Sequence, residues 1–231
     1  MDVEWTAERL AAEAERLETA PAEEIVRWAM EQFHPDIVLA CSFGAEDVVL
    51  LDMMCRVQPG AKAFYLDTGL HFRETYEVRD RIAARYPVEL IQVRPELTVE
   101  EQVARYGPRL WERDPDACCR MRKVEPLQRV LKGCRAWITG IRREQAPTRA
   151  RAKPVEWDAK FGLVKFNPLV RWTYKDVWNY IARHDVPYNE LHDRGYPSIG
   201  CFPCTTPVRE GEDPRSGRWR GKGKLECGLH A

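Results

Sequence analysis

Nowhere in the 231 residues does an apolar run approach the roughly 18 to 20 residues that a membrane-spanning helix needs. The start of the chain offers Asp2 and Glu4 in place of a basic and then apolar leader. A soluble, unexported, cytoplasmic protein with no membrane partner is therefore expected. Net charge is missing too, because 36 Lys and Arg balance 36 Asp and Glu. Whole-chain charge by itself names no partner, but a zero net charge counts against the basic surface that nucleic-acid binding rests on, and no nucleic-acid partner is expected. There is no Walker loop, no glycine-rich dinucleotide fingerprint and no internal repeat. A disulfide framework is also unexpected for the eight cysteines, since reducing compartments keep thiols free. Metal binding or catalysis becomes the question.

What is present is a core. With 44% hydrophobic residues the chain can bury one compact domain, placed here at 1–210, with N-terminal helices over about 5–33 and a flexible tail at 211–231. Charge is unevenly spread: residues 1–31 hold nine acids against three arginines, while 135–153 hold six cations against Glu144. The second stretch suits a small anionic ligand, with a solvated surface as the plain alternative. Asp36–Cys41 reads as a strand, Ser42–Asp47 as a turn and Val48–Met54 as the opening of a helix. Ala63–Asp67 and Val88–Val93 read as further strands around a helix over about 72–86, and Ala136–Gly140 as another strand. Thr173–His184 reads as an aromatic-rich, threonine-capped helix. Alternation of strand and helix predicts a doubly wound α/β core with a mostly parallel sheet. Ligands of such sheets bind beyond the carboxyl ends of the strands, where Ser42–Asp47, Asp67–Gly69 and Arg142–Arg149 emerge.

Several of these segments carry chemistry. The turn Ser42, Phe43, Gly44, Ala45, Glu46 and Asp47 lies between strand and helix, so its amides could cradle a phosphate or sulfate. It resembles the loop of the adenine-nucleotide α-hydrolase-like (PP-loop) family related to ATP pyrophosphatases. Phe43 and Asp47 stand where the ATP-cleaving form has its second glycine and final serine, which argues against pyrophosphate release. Asp67, Thr68 and Gly69 close the next strand. Gly140, Arg142, Arg143, Gln145 and Arg149 follow another, and guanidinium forks suit bidentate contact with phosphate or sulfate oxygens.

Cys118, Cys119, Cys201 and Cys204 offer four thiolates, enough for a four-iron cluster or a structural zinc, while Cys201-Phe-Pro-Cys204 alone could be a redox dithiol. Asp114-Pro-Asp116 predicts that Cys118 and Cys119 open a helix. Cys41, Cys55 and Cys134 lie among apolar residues and read as core thiols. Cys227 sits in a tail with Arg215, Arg218, Arg220, Lys222 and Lys224, and positive surroundings favour a reactive thiolate. From Gly211 onward glycines are frequent and apolar residues few, which predicts a mobile segment.

Together Ser42-Phe-Gly-Ala-Glu-Asp, Leu66-Asp-Thr-Gly, Cys118-Cys119, Gly140-Ile-Arg-Arg-Glu-Gln, Cys201-x-x-Cys204 and Glu226-Cys-Gly-Leu-His resemble the assimilatory adenylyl-sulfate reductases, over about residues 36–231. The resemblance implies one [4Fe-4S] cluster on Cys118, Cys119, Cys201 and Cys204, and adenosine 5'-phosphosulfate as substrate. It implies attack by Cys227 on the sulfuryl sulfur, loss of AMP and release of sulfite by reduced thioredoxin. By position it places Lys123 between substrate sulfate and cluster, and Arg215 and Arg218 around the substrate anion. His230 would assist thiolate formation or cap the tail. A homo-oligomer is compatible with the sequence. The rival readings are a reductase of the 3'-phosphorylated nucleotide or of both nucleotides, a PP-loop tRNA-thiolating enzyme, and a zinc-stabilised binding module.

Overall fold

The structure is a computed structural model that describes residues 5–224 and 226–229. Its centre is a six-stranded sheet in the order β3-β2-β1-β4-β6-β5. The strands are β1 (Ile37–Ala40), β2 (Lys62–Leu66), β3 (Glu89–Val93), β4 (Ala136–Ile138), β5 (Val155–Asp158) and β6 (Leu163–Phe166). All neighbours run parallel except the edge pair β5 and β6. In β1, Ile37, Val38 and Leu39 are buried in succession, as expected of a central parallel strand covered on both faces.

Alternate residues along the strands divide between two cores. Ile37, Leu39, Ala63, Tyr65, Ala136 and Ile138 join one, whereas Val38, Phe64 and Trp137 join the other. The first core is closed by α1 (Ala7–Leu17), α2 (Ala22–Phe33), α3 (Ala45–Val57) and α4 (Arg73–Arg85). The helices α5 (Val99–Tyr106), α6 (Leu110–Arg113) and α7 (Pro115–Cys119) lead to α8 (Glu125–Leu131). Leu127 and Leu131 of α8 close the second core, which Leu229 of the tail also meets. α9 (Tyr174–His184) returns to the first face through Val177, Tyr180 and Ile181.

Local chemistry explains the element ends. Thr6 caps α1 by accepting from the Arg9 amide at 3.2 Å. Thr98 and Glu101 form a reciprocal capping box on α5, as Thr173 and Asp176 do on α9. The amphipathic stretches expected at 5–18 and 22–33 form α1 and α2, and α2 buries Ile25, Val26, Ala29, Met30 and Phe33. The expected strands and the helices at 72–86 and 173–184 form within one or two residues of their predicted ends.

Two features depart from the sequence reading. Residues 155–166 form an antiparallel hairpin that turns through Gly162 at φ +72°. Its buried strand β6 contains Lys165, whose charge pairs with Glu156 at 3.5 Å and lies 5.7 Å from the Trp137 ring centroid. Also, Cys118 and Cys119 end the short helix α7 instead of opening one, and the chain continues as a π turn over Arg120–Val124. The Asp114 carboxylate does cap α7, accepting from the Ala117 amide at 2.9 Å. Among the described residues, no helix is long and apolar enough to cross a membrane.

Candidate active site

The order of the sheet determines where the loops meet. From β1 the chain winds outward to β2 and β3, then returns to β4 on the other side of β1. The loops after β1 and β4 therefore part at the switch point, where α/β sheets hold ligands. They pass so closely that a Cβ on Gly140 would stand 2.5 Å from Asp47 Oδ1 and 2.9 Å from the Glu46 Cβ. Only a glycine lets the two loops share that space.

Within the β1 loop, Phe43 holds φ +61°, the left-handed region that glycine favours. Its buried ring packs 5.3 Å from that of Tyr65, which offsets the strain. The Ser42 amide and hydroxyl both donate to Asp47 Oδ2, at 2.7 and 2.6 Å. Ala45–Asp47, expected in the turn, form the first turn of α3, so part of the expected amide cradle is filled by a carboxylate of that helix. Burial pushes the Asp47 pKa up to about 6 against the pull of those two bonds. Glu46 accepts from Arg142 Nε at 2.9 Å, so the second carboxylate is matched by a buried guanidinium.

A cleft of about 420 Å³ opens over these loops, a size in the range of small-molecule sites. Every residue from Ser42 to Asp47 lines it, together with Thr68, Lys123, Gly140, Arg142, Gln145, Arg149, Arg215, Arg218 and Cys227. Three expected residues are not brought there. Asp67 accepts from Tyr76 Oη at 2.7 Å and Gln92 Nε2 at 2.6 Å. Those bonds, with the Gly69 amide, hold its pKa below the usual carboxylate range despite burial. Asp67 and Gly69 therefore shape the β2 turn, not the cleft wall. Arg143 points away to Glu18, at 2.5 and 2.9 Å, and to the Ala152 carbonyl at 2.9 Å. His230 lies outside the described residues.

Beside the cleft, Cys118, Cys119, Cys201 and Cys204 line one small cavity with Arg122, Lys123 and Trp219. Along α7 and the π turn, buried Cys118 and Cys119 are followed one turn later by buried Arg122 and Lys123. Arg122 ties this face to the β2 turn through the Thr68 carbonyl at 2.6 Å, and Thr68 Oγ1 meets Cys201 Sγ at 3.4 Å. The Phe202 amide donates to the Leu70 carbonyl at 2.7 Å, which fixes the Cys201–Cys204 turn. All four thiols are free. Burial, reinforced by the other three sulfurs, raises the Cys118 pKa to about 12. Burial likewise pushes the Cys119 and Cys204 thiols up, and buried thiols of this kind ionise together only when a cation joins them, so the chemistry of the four-sulfur set suits a metal cluster. Among the described residues no three His, Cys, Asp or Glu side chains are placed to hold a metal ion.

Lys123 links the two spaces. Burial opposes its charge, but Cys201, Cys227 and Cys119 surround it and hold its pKa above the usual lysine value.

The tail packs over both spaces. Residues 217–219 pair with 204–206: Thr206 N donates to the Gly217 carbonyl at 2.9 Å, and Trp219 N to the Cys204 carbonyl at 3.0 Å. Trp219 is buried. Arg218 donates to Ser198 Oγ at 3.2 Å and the Ile199 carbonyl at 3.3 Å, its guanidinium pressed against Gly200 where a Cβ would collide. Farther on, Lys222 reaches the Glu112 carbonyl at 2.8 Å, Lys224 pairs with Asp116, and Lys160 donates to the Gly228 carbonyl at 2.5 Å.

Sequence reasoning missed three residues here. Trp219 signals its role weakly, as one large aromatic in a glycine-rich stretch. His192 lines the cleft from a 3-10 turn over Glu190–Arg194 that carries no motif, and both its ring nitrogens are buried. Glu226 was legible only as part of a pattern around Cys227.

A mostly parallel sheet with a ligand cleft at its switch point is the doubly wound α/β arrangement found in the adenine-nucleotide α-hydrolase-like class. The FMN adenylyltransferase of Candida glabrata shares this fold, with a TM-score of 0.59 at 17% identity, covering 92% of this chain and 71% of that one. The phosphoadenosine phosphosulfate reductase domain matches residues 36–207, and the chain belongs to that family. It is 53% identical over 214 residues to an adenosine 5'-phosphosulfate reductase of Geobacillus thermodenitrificans, covering 92% of this chain and 91% of that protein. It is 55% identical over 229 residues to a phosphoadenosine 5'-phosphosulfate reductase of Gloeobacter violaceus, covering 98% and 94%. A crystal structure of phosphoadenylyl-sulfate reductase from Candida auris, a phosphate complex, aligns with a TM-score of 0.80 at 33% identity, over 89% of this chain and 100% of that one.

Proposed function

We propose that this protein reduces adenosine 5'-phosphosulfate to sulfite and AMP, in the assimilation of sulfate toward cysteine. The observation that carries the reading is the placement of Cys227 in one cleft with Lys123, Arg149, Arg215 and Arg218, a thiol among cations that match a phosphosulfate. In the first step the Cys227 thiolate forms a bond to the sulfuryl sulfur, and the bond from that sulfur to the AMP phosphate oxygen breaks with its electron pair leaving on AMP. In the second step a thiolate of reduced thioredoxin attacks Cys227 Sγ, and sulfite leaves with the electron pair of the S–S bond. The second thioredoxin thiol resolves the mixed disulfide, so the dithiol supplies both electrons.

Cys118, Cys119, Cys201 and Cys204 would hold one [4Fe-4S] cluster. When bound it supplies charge beside Lys123, whose ammonium faces both the cysteine cavity and the cleft. Arg149, Arg215 and Arg218 orient the anion, and Ser42–Asp47, Thr68 and Gly140 shape the wall against which the nucleotide rests. In this reading residues 1–210 act as one domain, and 211–231 form a tail that first covers the nucleotide and then swings out to thioredoxin. Eight free thiols suit a reducing cytoplasm.

The 3'-phosphorylated nucleotide is the second reading, favoured by the name of the Gloeobacter violaceus relative. Anaerobically purified protein is incubated with each radiolabelled nucleotide without reductant. Label should remain on the protein with adenosine 5'-phosphosulfate, disappear in Cys227→Ser, and leave as sulfite when thioredoxin is added. Faster labelling by the 3'-phosphorylated nucleotide would reverse the substrate assignment, and a cluster-loaded protein labelled by neither would end the reductase reading.

A further inference from the structure

The structure assigns a role to Glu226, the residue before Cys227: we propose that its carboxylate is the clamp that positions the nucleophile over the cleft. Both of its oxygens are engaged. Oε1 accepts from Arg149 Nε at 3.0 Å and from Thr148 Oγ1 at 3.3 Å. Oε2 accepts from Arg149 Nη2 and Arg215 Nη2, each at 3.1 Å. Arg149 belongs to the loop after β4, at the switch point, whereas Arg215 belongs to the tail's own approach. One side chain thus fastens the nucleophile's segment at once to the body and to the arm that delivers it.

The contacts of neighbouring tail residues are weaker in kind. Lys224 pairs with Asp116, whose side chain is 83% exposed, and Lys160 reaches the tail at Gly228 through a neutral backbone carbonyl. The Glu226 pairs are shielded, with 12% of the carboxylate side chain exposed and 12% and 18% of the two arginines. Charge-assisted bonds with a bidentate fork, partly withdrawn from water, fix direction as well as distance. The fork uses one edge of Arg149, and Nη1 of the same side chain donates to Gln145 Oε1 at 2.5 Å, so the guanidinium plane is set from both sides. A carboxylate next to the reacting thiol would otherwise be a poor neighbour for an incoming anion. Here it is matched by two guanidinium groups.

This inference rests on the reductase reading, and its test separates the two. Single-turnover labelling by radiolabelled adenosine 5'-phosphosulfate is measured for wild type, Glu226→Gln and Glu226→Asp, followed by a dithiothreitol chase of the preformed adduct. AMP protection of Cys227 from a thiol reagent reports nucleotide affinity. Glu226→Gln is expected to slow labelling by about tenfold, the loss of roughly one charge-assisted bond. AMP affinity should not fall, because Arg149 and Arg215 keep their charge and lose a competing carboxylate, the chase should not be slowed, and Glu226→Asp should recover part of the labelling rate. Labelling of Glu226→Gln at the wild-type rate, or an equal slowing of labelling and chase, would overturn the clamp. A wild-type protein that is not labelled at all removes the reductase reading instead.

Discussion

The strand-end loops and the tail from Gly217 onward meet in one cleft but are held by different forces. The loops after β1, β2 and β4 continue hydrogen-bonded strands, and their contacts are short-range and buried: Gly140 against Asp47, Phe43 on Tyr65, Thr68 on Cys201. The tail is split. Residues 217–219 are paired by backbone to the turn that carries Cys201 and Cys204, with Trp219 buried. Beyond Arg220 the polar contacts are made by Lys222, Lys224, Glu226 and the Gly228 carbonyl, and Leu229 meets the second core. Loops built in this way can hold a nucleotide in a fixed pose. A segment held largely by such polar contacts can be released without unfolding anything else, as the proposed two-step mechanism requires.

The largest effect is expected where the two regions share an anchor. Cys201→Ser removes one cavity thiol, weakens the contact to Thr68 and disturbs the turn that the tail pairs with. Purified anaerobically, the variant should lose iron and fall by at least ~100-fold in sulfite formation. Full iron content and activity would show that Cys201 is not a ligand. A smaller effect is expected from Gly140→Ala, because the new Cβ would force Asp47 and Glu46 aside. A loss of about 2 kcal/mol in unfolding free energy, with weaker AMP binding, is expected in denaturant titrations. Trp219→Ala is the contrasting variant: the global transition should stay near wild type while protease cleaves the tail faster. If Trp219→Ala lowers global stability as much as Gly140→Ala, the two regions are one cooperative unit and the comparison fails.

Smaller still is the response to salt. Exposed ion pairs contribute about 0–1 kcal/mol each and are screened. Raising salt from low to high should therefore speed amide exchange around Lys224, whose partner Asp116 is exposed, more than around the shielded Glu226, with no change at residues 42–47. Equal protection at both ends of the range would mean that packing, not charge, holds the tail.

How far the sequence carried the description depends on what kind of signal each region has. β1 and β2 were legible because apolar residues run unbroken where a strand is buried on both faces. The 155–166 hairpin was not, because Lys165 breaks the apolar pattern and its burial depends on Glu156 and the Trp137 ring, contacts made only after folding. Arg142 and Arg143 are adjacent and chemically identical, yet one faces the cleft and the other Glu18; no spacing rule separates them. Asp67 looked like a ligand because it ends a strand at the right edge, but Tyr76 and Gln92 claim its oxygens. The four cavity cysteines and Cys227 stood out as thiols in suggestive places, and the structure brings the first four together. The expectation of a mobile tail came from glycine frequency, which carries no information about Trp219 or the lysine contacts.

The smallest expected effect sharpens the loop side of the comparison through pH. Burial raises the Asp47 pKa from 3.8 to about 6, so the folded protein binds this proton more tightly than the unfolded chain does. The stability that follows is fully present below the unfolded pKa and is lost as pH rises through about 6. Between about pH 5 and pH 7 the loss attributable to this carboxylate is about 1 kcal/mol. Other carboxylates titrate with the opposite sign, so the informative quantity is the difference between wild type and Asp47→Asn, whose amide cannot ionise. Relative to that variant, wild-type stability should fall across this interval, and AMP, an anion, should bind wild type more weakly at the upper end. Parallel pH profiles for the two proteins would show that Asp47 is already ionised at acid pH and that the β1 loop is wetter than its packing indicates.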